Sequence, residues 1–301
     1  MTPDVSVVVI TRDRADKLRG FLASAAGISS DRPWELVVID NGSSDETPDV
    51  IAAASDTFPA PVVSVVDETP GVARARNRGW QAASAPVVMF TNDDCYLPSD
   101  YVDRIAVAFD ADERLAFLGG SVIRHDPGDD KLGNVSRPEP LDIPPGMFLT
   151  PGALITANLA FRRDVLESVG GFDEVFAYGN GLVGDDSDAV ARISILGWRG
   201  RFDPELVVRH HHGHRAQADI RRVQHGYDMG RGAFYAKSLL DPKLRWLYLK
   251  GWARLTTESL RRDGPGPTAR ELQGAARYLA IRARQRVMGS KPDGATRPAS
   301  P

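Results

Sequence analysis

The sequence predicts an α/β fold in which a mostly parallel, doubly wound sheet carries helices on both faces. The prediction rests on short β-branched runs, on helical spacing between them, and on polar residues where each run ends. The predicted strands are Val5–Ile10, Glu35–Ile39, Val62–Val66 and Ala85–Phe90. The helices predicted after them are Ala15–Ala26, Glu46–Ser55, Gly71–Ala83 and Ser99–Ala111. Open sheets of this kind bind ligands at the carboxyl ends of their strands.

The second half of the chain is less regular. Asp126–Met147 is rich in Pro, Gly and Asp, which predicts a surface loop. The elements predicted after it are the apolar stretch Ala153–Phe161, a helix over Arg163–Val169, a helix over Asp185–Leu196, a strand over Arg201–Val208, and helices over Ile220–Leu240, Lys243–Leu260 and Arg270–Met288. We therefore expect a sheet domain over residues 1–215, a helical extension over 216–288 and a disordered tail over 289–301.

Composition and charge exclude several classes of protein. The formal net charge of −3 argues against a dedicated nucleic-acid binder, which would be clearly basic. The single cysteine, Cys95, excludes an internal disulfide framework and fits a reducing compartment. No apolar run approaches the ~20 residues of a spanning helix, and the N-terminus does not resemble a signal peptide. We expect a cytoplasmic protein, with contact at the inner face of a membrane left open.

Two acidic clusters lie where strands or loops end. Asp93 and Asp94 follow the strand Ala85–Phe90, and adjacent carboxylates suit a divalent cation that carries phosphate oxygens. An acidic turn or a helix N-cap explains this pair as well. Asp185 and Asp186 open a predicted helix, where the helix dipole alone would favour acidic residues.

Histidines and arginines form two further clusters. Five of the six histidines fall within His210–His225, directly after a predicted strand, so metal ligation and a solvated loop both remain open. The helix after Gly71 carries Arg74, Arg76 and Arg78. These are either solvated helix charges or forked hydrogen-bond donors to phosphate oxygens.

Seven segments, in this order, resemble the motifs of the family-2 inverting glycosyltransferases of the GT-A fold, a Rossmann-like fold of nucleotide-diphospho-sugar transferases. They are VSVVVITRDR (5–14), VVIDNGSSDET (37–47), PGVARARNRG (70–79), MFTNDDCYLP (89–98), TANLAFRRDVLESVGGFDE (156–174), GDDSDAVARISILGWR (184–199) and PELVVRHHH (204–212). The resemblance implies a metal-dependent inverting transfer of a sugar from a nucleotide-diphosphate donor to an acceptor hydroxyl. Cell-surface polysaccharide, glycolipid and secondary-metabolite glycosylation are the implied settings.

The resemblance also implies roles for individual residues. On the donor side these are Asp40 at the nucleobase, Thr11 and Arg14 in the nucleotide pocket, Arg76 with Arg74 at the nucleotide or its phosphates, and Asp93 at the ribose or sugar. Asp94 and His210, with His212 as second choice, would bind Mn²⁺ or Mg²⁺. Asn92 replaces the first of the three carboxylates that the family often has there.

On the acceptor side the resemblance implies that Asp186 is the catalytic base, next to Asp185, which replaces the usual Glu of that motif. Asn158 would face the acceptor or the transferred sugar. Like-charge neighbours would raise the pKa of Asp186.

Two other functions remain open, a nucleotidyltransferase of similar fold and a catalytically silent nucleotide-sugar-binding protein. The first requires a glycine-rich loop after the first strand, and Thr11–Lys17 has no glycine. The combination of Asp94, Asp186 and His210 argues against the second. For the helical extension, a cap on the sheet domain, a peripheral membrane contact and a homodimer interface remain open. The donor sugar, the nucleotide base and the acceptor are not set by the sequence.

Overall fold

The computed structural model describes residues 2–176 and 180–289, and every structural statement below refers to them. Strands and helices alternate at first: β1 (Val5–Thr11), α1 (Ala15–Ala25), β2 (Trp34–Asp40), α2 (Thr47–Thr57), β3 (Val62–Val66), α3 (Val72–Ala82), β4 (Val87–Asn92), β5 (Cys95–Tyr96) and α4 (Tyr101–Ala111). Then come β6 (Leu115–Arg124), β7 (Leu141–Ile143), a 3₁₀ turn (Thr156–Asn158), β8 (Leu159–Arg162), α5 (Arg163–Ser168), α6 (Asp185–Ile195), β9 (Arg199–His210), α7 (Gln217–Leu240), α8 (Arg245–Arg262) and α9 (Pro265–Gly289).

The strands form one sheet in the order β3-β2-β1-β4-β8-β6-β9-β5, with β7 paired to β9. The first four strands are parallel, so their carboxyl ends meet at one edge of the sheet. In register, Thr11 at the end of β1 lies beside Asp40 at the end of β2, and Ile10 lies beside Asn92 of β4. The prediction of a mostly parallel α/β sheet is confirmed, and the polar strand ends share one edge.

Alternate residues of the central strands supply two separate cores. Val7 and Val9 of β1 pack with Leu18 of α1 on one face. Val8 packs with Ala75 of α3 on the other face. Because both faces are covered, these strands need apolar residues throughout, which is why they appear as unbroken runs in the sequence.

The structure adds four strands that the sequence did not indicate: β5, β6, β7 and β8, the last of which begins within the apolar stretch Ala153–Phe161. The central strand β6 contains Gly119-Gly120, which weakens a strand pattern. Close packing explains these glycines, because a Cβ at Gly120 would collide with the carbonyl oxygen of Leu206 and the side-chain amide of Asn158. The short strand β7 lies inside Asp126–Met147, which was predicted to be a loop throughout.

The helical extension packs against the sheet domain through a third core, which joins Phe176 and Ala191 to Phe234 and Tyr248. The division at residues 215 and 216 remains a prediction. The predicted break between the last two helices is shorter than expected, because α8 continues to Arg262 and α9 begins at Pro265. Residues 290–301 of the predicted tail lie outside the described residues. Within residues 2–176 and 180–289, no helix is long and apolar enough to cross a membrane.

Contacts between α7 and α9 depend on glycine. A Cβ at Gly232 of α7 would collide with the carbonyl oxygen of Glu271 in α9. We therefore expect Gly232→Ala to lower the free energy of unfolding by about 1–3 kcal/mol, because the helices must separate. Chemical denaturation followed by circular dichroism measures the effect.

Gly226→Ala is the matched control, since it lies in the same helix and a Cβ there has no neighbour within 4 Å among the described residues. This control should be neutral or gain up to about 1 kcal/mol from helix propensity. Equal stability of the two variants would show that the helix contact does not require glycine.

Candidate active site

Asp93 and Asp94 form the turn between β4 and β5 at the carboxyl edge of the sheet, and both are buried. The hydroxyl of Thr11 donates to Asp93 Oδ2 over 2.8 Å. Arg14 donates from Nη2 to Asp94 Oδ2 at 2.5 Å, and its Nη1 lies 3.4 Å from Asp93 Oδ1. The structure thus brings four of the sequence-predicted residues together in one cluster.

His210 completes this cluster from the far end of the sheet domain. Antiparallel pairing of β5 with β9 sets Cys95 opposite His210, which places His210 Nε2 3.0 Å from Asp94 Oδ1. Burial alone would raise the pKa of Asp94, but His210 and Arg14 hold it well below its ordinary value. Asp94 therefore carries a negative charge despite being buried.

The donor atoms of this cluster fit a divalent cation. Asp94 Oδ1 is buried and, although His210 is close, it accepts no hydrogen bond of good geometry from the described residues. His210 Nδ1 is also buried and has no hydrogen-bond partner among the described residues. A carboxylate oxygen suits Mn²⁺ and Mg²⁺, and an imidazole nitrogen is a ligand for transition-metal ions. Asp94 and His210 are therefore the residues that could hold the metal.

His212, the second choice for a metal ligand, is occupied elsewhere. Its Nε2 lies 3.0 Å from the carbonyl oxygen of Asp130, and its Nδ1 accepts the backbone N–H of His214 over 2.9 Å. With both ring nitrogens engaged in its own loop, His212 has no atom free for a cation. Cys95 is buried, and burial together with Asp94 raises the pKa of its thiol far above the ordinary value, so it stays protonated.

The predicted nucleotide-binding loops are held by a network centred on Asp67. Asp40 Oδ1 accepts the backbone N–H of Ser43 over 2.9 Å, and Asn41 Nδ2 donates to the carbonyl oxygen of Asp67 over 3.0 Å. The side chain of Asp67 in turn accepts from Arg74 Nε over 2.9 Å. Asp67 was missed in the sequence, although it follows β3 just as Asp40 ends β2.

A second acidic site opens α6. Arg76 lies beside Asp185, with 2.5 Å between Arg76 Nη1 and Asp185 Oδ2, and its contact with the nucleotide or its phosphates remains a prediction. Asp186 accepts the backbone N–H of Ser187 over 2.7 Å and that of Thr156 over 3.4 Å. Burial and the charge of Asp185 raise the pKa of Asp186 to about 6, against the opposing effect of Arg76.

Asn158 is buried and its side chain is fully hydrogen-bonded within the protein. The side chain is 1% exposed, and its Nδ2 donates to the carbonyl oxygens of Ser121 and Leu206 over 2.9 and 2.7 Å. Its Oδ1 accepts from the hydroxyl of Tyr101 over 3.1 Å. Asn158 therefore ties β6, β9 and α4 together beneath the site, and a contact with the acceptor or the transferred sugar remains a prediction.

Lys237 of α7 is a site-supporting residue that the sequence did not reveal. Its Nζ lies 2.7 Å from Asp188 Oδ1 in α6 and 2.7 Å from Asp173 Oδ2. Asp188 is buried one turn after the start of the helix that carries Asp186. No local signal marks Lys237, because its partners meet it only through tertiary packing.

A mostly parallel α/β sheet with a buried acidic pair at its carboxyl edge and a separate carboxylate at a helix start is the arrangement expected of the GT-A class of transferases. Residues 6–170 match the model of glycosyl transferase family 2. The match covers more than half of the chain, and the chain belongs to that family.

Curated relatives carry glycosyltransferase names. The pre-mycofactocin glycosyltransferase of Mycobacterium tuberculosis (strain CDC 1551 / Oshkosh) is 26% identical over 248 residues, covering 78% of this chain and 46% of that protein. Glycosyltransferase AglE of Haloferax volcanii is 25% identical over 178 residues, covering 56% of each chain. The chain thus spans about half the length of these relatives.

Solved structures share the fold. The mannosyltransferase PcManGT from Pyrobaculum calidifontis, in complex with GDP-Man and Mn²⁺, has a TM-score of 0.62 at 21% identity, covering 95% of this chain and 81% of that chain. Residues 1–349 of S. aureus TarS, in complex with UDP-GlcNAc, have a TM-score of 0.59 at 15% identity, covering 92% and 79%. At these identities the likeness concerns the fold alone.

The ion pair between Lys237 and Asp188 of α6 can be tested by substitution. We expect Lys237→Met to lower kcat about tenfold or more, because the first turn of α6 loses an anchor. The pH at half-maximal kcat should also rise, because the ammonium group beside Asp188, two residues after Asp186, is lost. A pH profile of kcat at saturating substrates measures both effects.

Lys243→Met, at an exposed lysine just beyond α7, is the control and should match the parent. Arg192 still pairs with Asp188 and Arg282 with Asp173, so the variant should fold, which circular dichroism checks. An unchanged pH profile with unchanged kcat would remove Lys237 from the support of the site.

Proposed function

We propose that the protein is a metal-dependent inverting glycosyltransferase that moves a sugar from a nucleotide-diphosphate donor to an acceptor hydroxyl. The observation that carries the proposal is the contrast between two carboxylate sites. The pKa of Asp94 is held well below its ordinary value, whereas that of Asp186 is raised to about 6. One site keeps a charge to bind a cation, and the other holds a base suited to neutral pH.

The donor side is built from Arg14, Asp94 and His210. Asp94 and His210 would hold Mn²⁺ or Mg²⁺, which when bound supplies Lewis-acid stabilisation of the departing diphosphate. Arg14 neutralises the acidic pair and is 42% exposed, so its remaining N–H groups are open to phosphate oxygens. Asp40, Arg74 and Asp93 remain predicted contacts to the nucleotide and its sugar.

Asp186 is the proposed base. It takes the proton of the acceptor hydroxyl while the hydroxyl oxygen bonds to the anomeric carbon, and the bond from that carbon to the diphosphate oxygen breaks. Attack from the face opposite the leaving group inverts the anomeric centre. Asp185 is paired with Arg76, so it is the less suited of the two adjacent carboxylates to accept a proton.

The bound ligands of the similar structures support the donor class. PcManGT holds GDP-Man with Mn²⁺, and TarS holds UDP-GlcNAc. For the present chain we propose a hydroxyl acceptor in polysaccharide, glycolipid or secondary-metabolite glycosylation, acting in the cytoplasm at the inner face of a membrane. A homodimer remains a prediction, as does the absence of nucleic-acid partners.

Asp186→Asn tests the base. Removing the carboxylate should lower kcat by about 10²–10⁴-fold, because the acceptor hydroxyl loses its proton acceptor, while donor binding stays near the parent value. Transfer assays and calorimetric titration with the donor give the two numbers. In the parent, kcat should fall as the pH drops through about 6, since Asp186 accepts a proton only when ionised.

Asp164→Asn is the control, because Asp164 is an exposed carboxylate in the first turn of α5. It should leave kcat and donor affinity unchanged. Near-parent turnover by Asp186→Asn would remove Asp186 from the role of base, and a kcat that stays flat down to pH 5 would do the same.

A donor and metal screen tests the cation site. UDP-, GDP- and dTDP-sugars, each with and without Mn²⁺, should raise the midpoint of thermal unfolding for the correct donor only when Mn²⁺ is present. A donor concentration of a hundred times Kd stabilises the folded protein by about 2.7 kcal/mol. Asp94→Asn and His210→Ala should abolish the Mn²⁺-dependent part of the shift.

His225→Ala is the matched control, because His225 is an exposed histidine on α7. It should retain the full shift. A donor shift that is the same with Mn²⁺ and with EDTA, in the parent protein, would refute metal dependence and leave the fold assignment intact.

A further inference from the structure

The outer side of α8 carries an apolar stripe, which we call the α8 face and define by Trp246, Leu249, Ala253 and Leu260. At 100° per residue these positions fall within an arc of about 60°. Trp246 is 66% exposed, Leu249 37% and Leu260 46%. The buried residues of the helix, Tyr248 and Gly251, lie on the side opposite the stripe.

The two tryptophans of α8 show that this exposure is specific to one side of the helix. Trp252 stacks on Tyr235 with ring centroids 5.1 Å apart, and its Nε1 donates to Glu271 over 2.8 Å. Trp252 thus holds α8 against α7 and α9. Trp246 lies about 120° away from it around the helix and is two-thirds exposed, so the packing of α8 does not account for it.

Basic side chains border the α8 face. Lys250, Arg254 and Arg261 are exposed along one border and Arg245 along the other. Glu258 is the one acidic residue in the sequence of α8. The chain as a whole has a net charge of −3, yet residues 241–286 contain eleven Lys and Arg against four Asp and Glu. Positive charge is therefore concentrated around the stripe.

We propose that the α8 face docks the protein on an anionic lipid surface. An apolar stripe with an interfacial tryptophan and flanking Lys and Arg is the pattern of a helix that lies in the headgroup region. The aliphatic stems of Lys and Arg cover apolar surface while their charges reach lipid phosphates. The stripe runs about 21 Å from Trp246 to Leu260, parallel to such a surface.

The inner side of α8 connects this face to the proposed acceptor side. Phe148 packs on Tyr248 with centroids 5.2 Å apart and occupies the space beside Gly251. Four residues further on, the backbone N–H of Gly152 donates to Ser187 Oγ over 3.1 Å, next to Asp186. These contacts link α8 through the segment 148–152 to Ser187, the residue after Asp186.

Co-sedimentation of the full chain with vesicles tests the proposal. Vesicles of phosphatidylcholine with one third phosphatidylglycerol should bind the parent, pure phosphatidylcholine should not, and high salt should weaken binding. The double variant Trp246→Ser with Leu249→Ser should lose at least about tenfold in partition coefficient. The triple variant Lys250→Glu, Arg254→Glu and Arg261→Glu should lose as much.

Matched controls change the same chemistry elsewhere. Val66→Ser with Val107→Ser removes two exposed apolar side chains outside α8, and Lys131→Glu, Arg137→Glu and Arg201→Glu reverse three exposed charges. Both should bind vesicles like the parent, and circular dichroism should show every variant folded. Vesicle binding is scored also in Asp186→Asn, so docking is judged independently of the proposed reaction.

Three results would overturn the proposal. The parent fails to bind anionic vesicles, or the α8 variants bind as well as the parent, or the charge controls lose as much as the α8 variants. If light scattering shows a dimer that the Trp246 and Leu249 double variant abolishes, while vesicles leave the parent unbound, the α8 face is an interface between copies.

Discussion

The pairing of a two-residue strand with the end of a long one is the contact on which the candidate site depends. β5 pairs with β9, and the backbone N–H of His211 donates to the carbonyl oxygen of Asp94 over 2.8 Å. These bonds join residues more than a hundred positions apart and bring His210 to Asp94 Oδ1. Without them the buried carboxylate of Asp94 would lose the contact with His210 and would depend on Arg14 for a compensating charge.

The remaining carboxylates near the sheet edge show how environment separates chemically equal groups. Asp67, Asp185 and Asp188 each have a guanidinium or ammonium partner. Burial and the charge of Asp185 raise the pKa of Asp186 to about 6, although Arg76 and two backbone N–H groups oppose the rise. Burial also raises the pKa of Asp93 to about 6, against Arg14, while the adjacent Asp94 adds to the rise. The fold thus gives chemically equal carboxylates different roles, because it places Lys or Arg side chains close to some of them and not to others.

The sequence predicted those parts of the molecule whose signals are local. Doubly buried strands appear as β-branched runs, and β1 to β4 were found within about two residues of their bounds. The strand β6 was missed because its Gly119-Gly120 serves packing against Leu206, which no local pattern reports. The motifs gave the positions of Asn158, His212 and Arg76 but not where their side chains point, because tertiary packing sets those directions. Asp67 and Lys237 escaped notice for the same reason.

The helical extension is best regarded as part of the catalytic scaffold with one side turned outward. Lys237 of α7 anchors α6, and the core around Phe234 includes Phe176 from the sheet domain. Removing the extension after Arg215 would expose that core and leave Asp188 without its ammonium partner. A truncated chain would therefore lose activity and membrane contact together, for reasons unrelated to lipid. Substitutions on the α8 face separate the two, because that face lies on the opposite side of the helix from the core contacts of Tyr248.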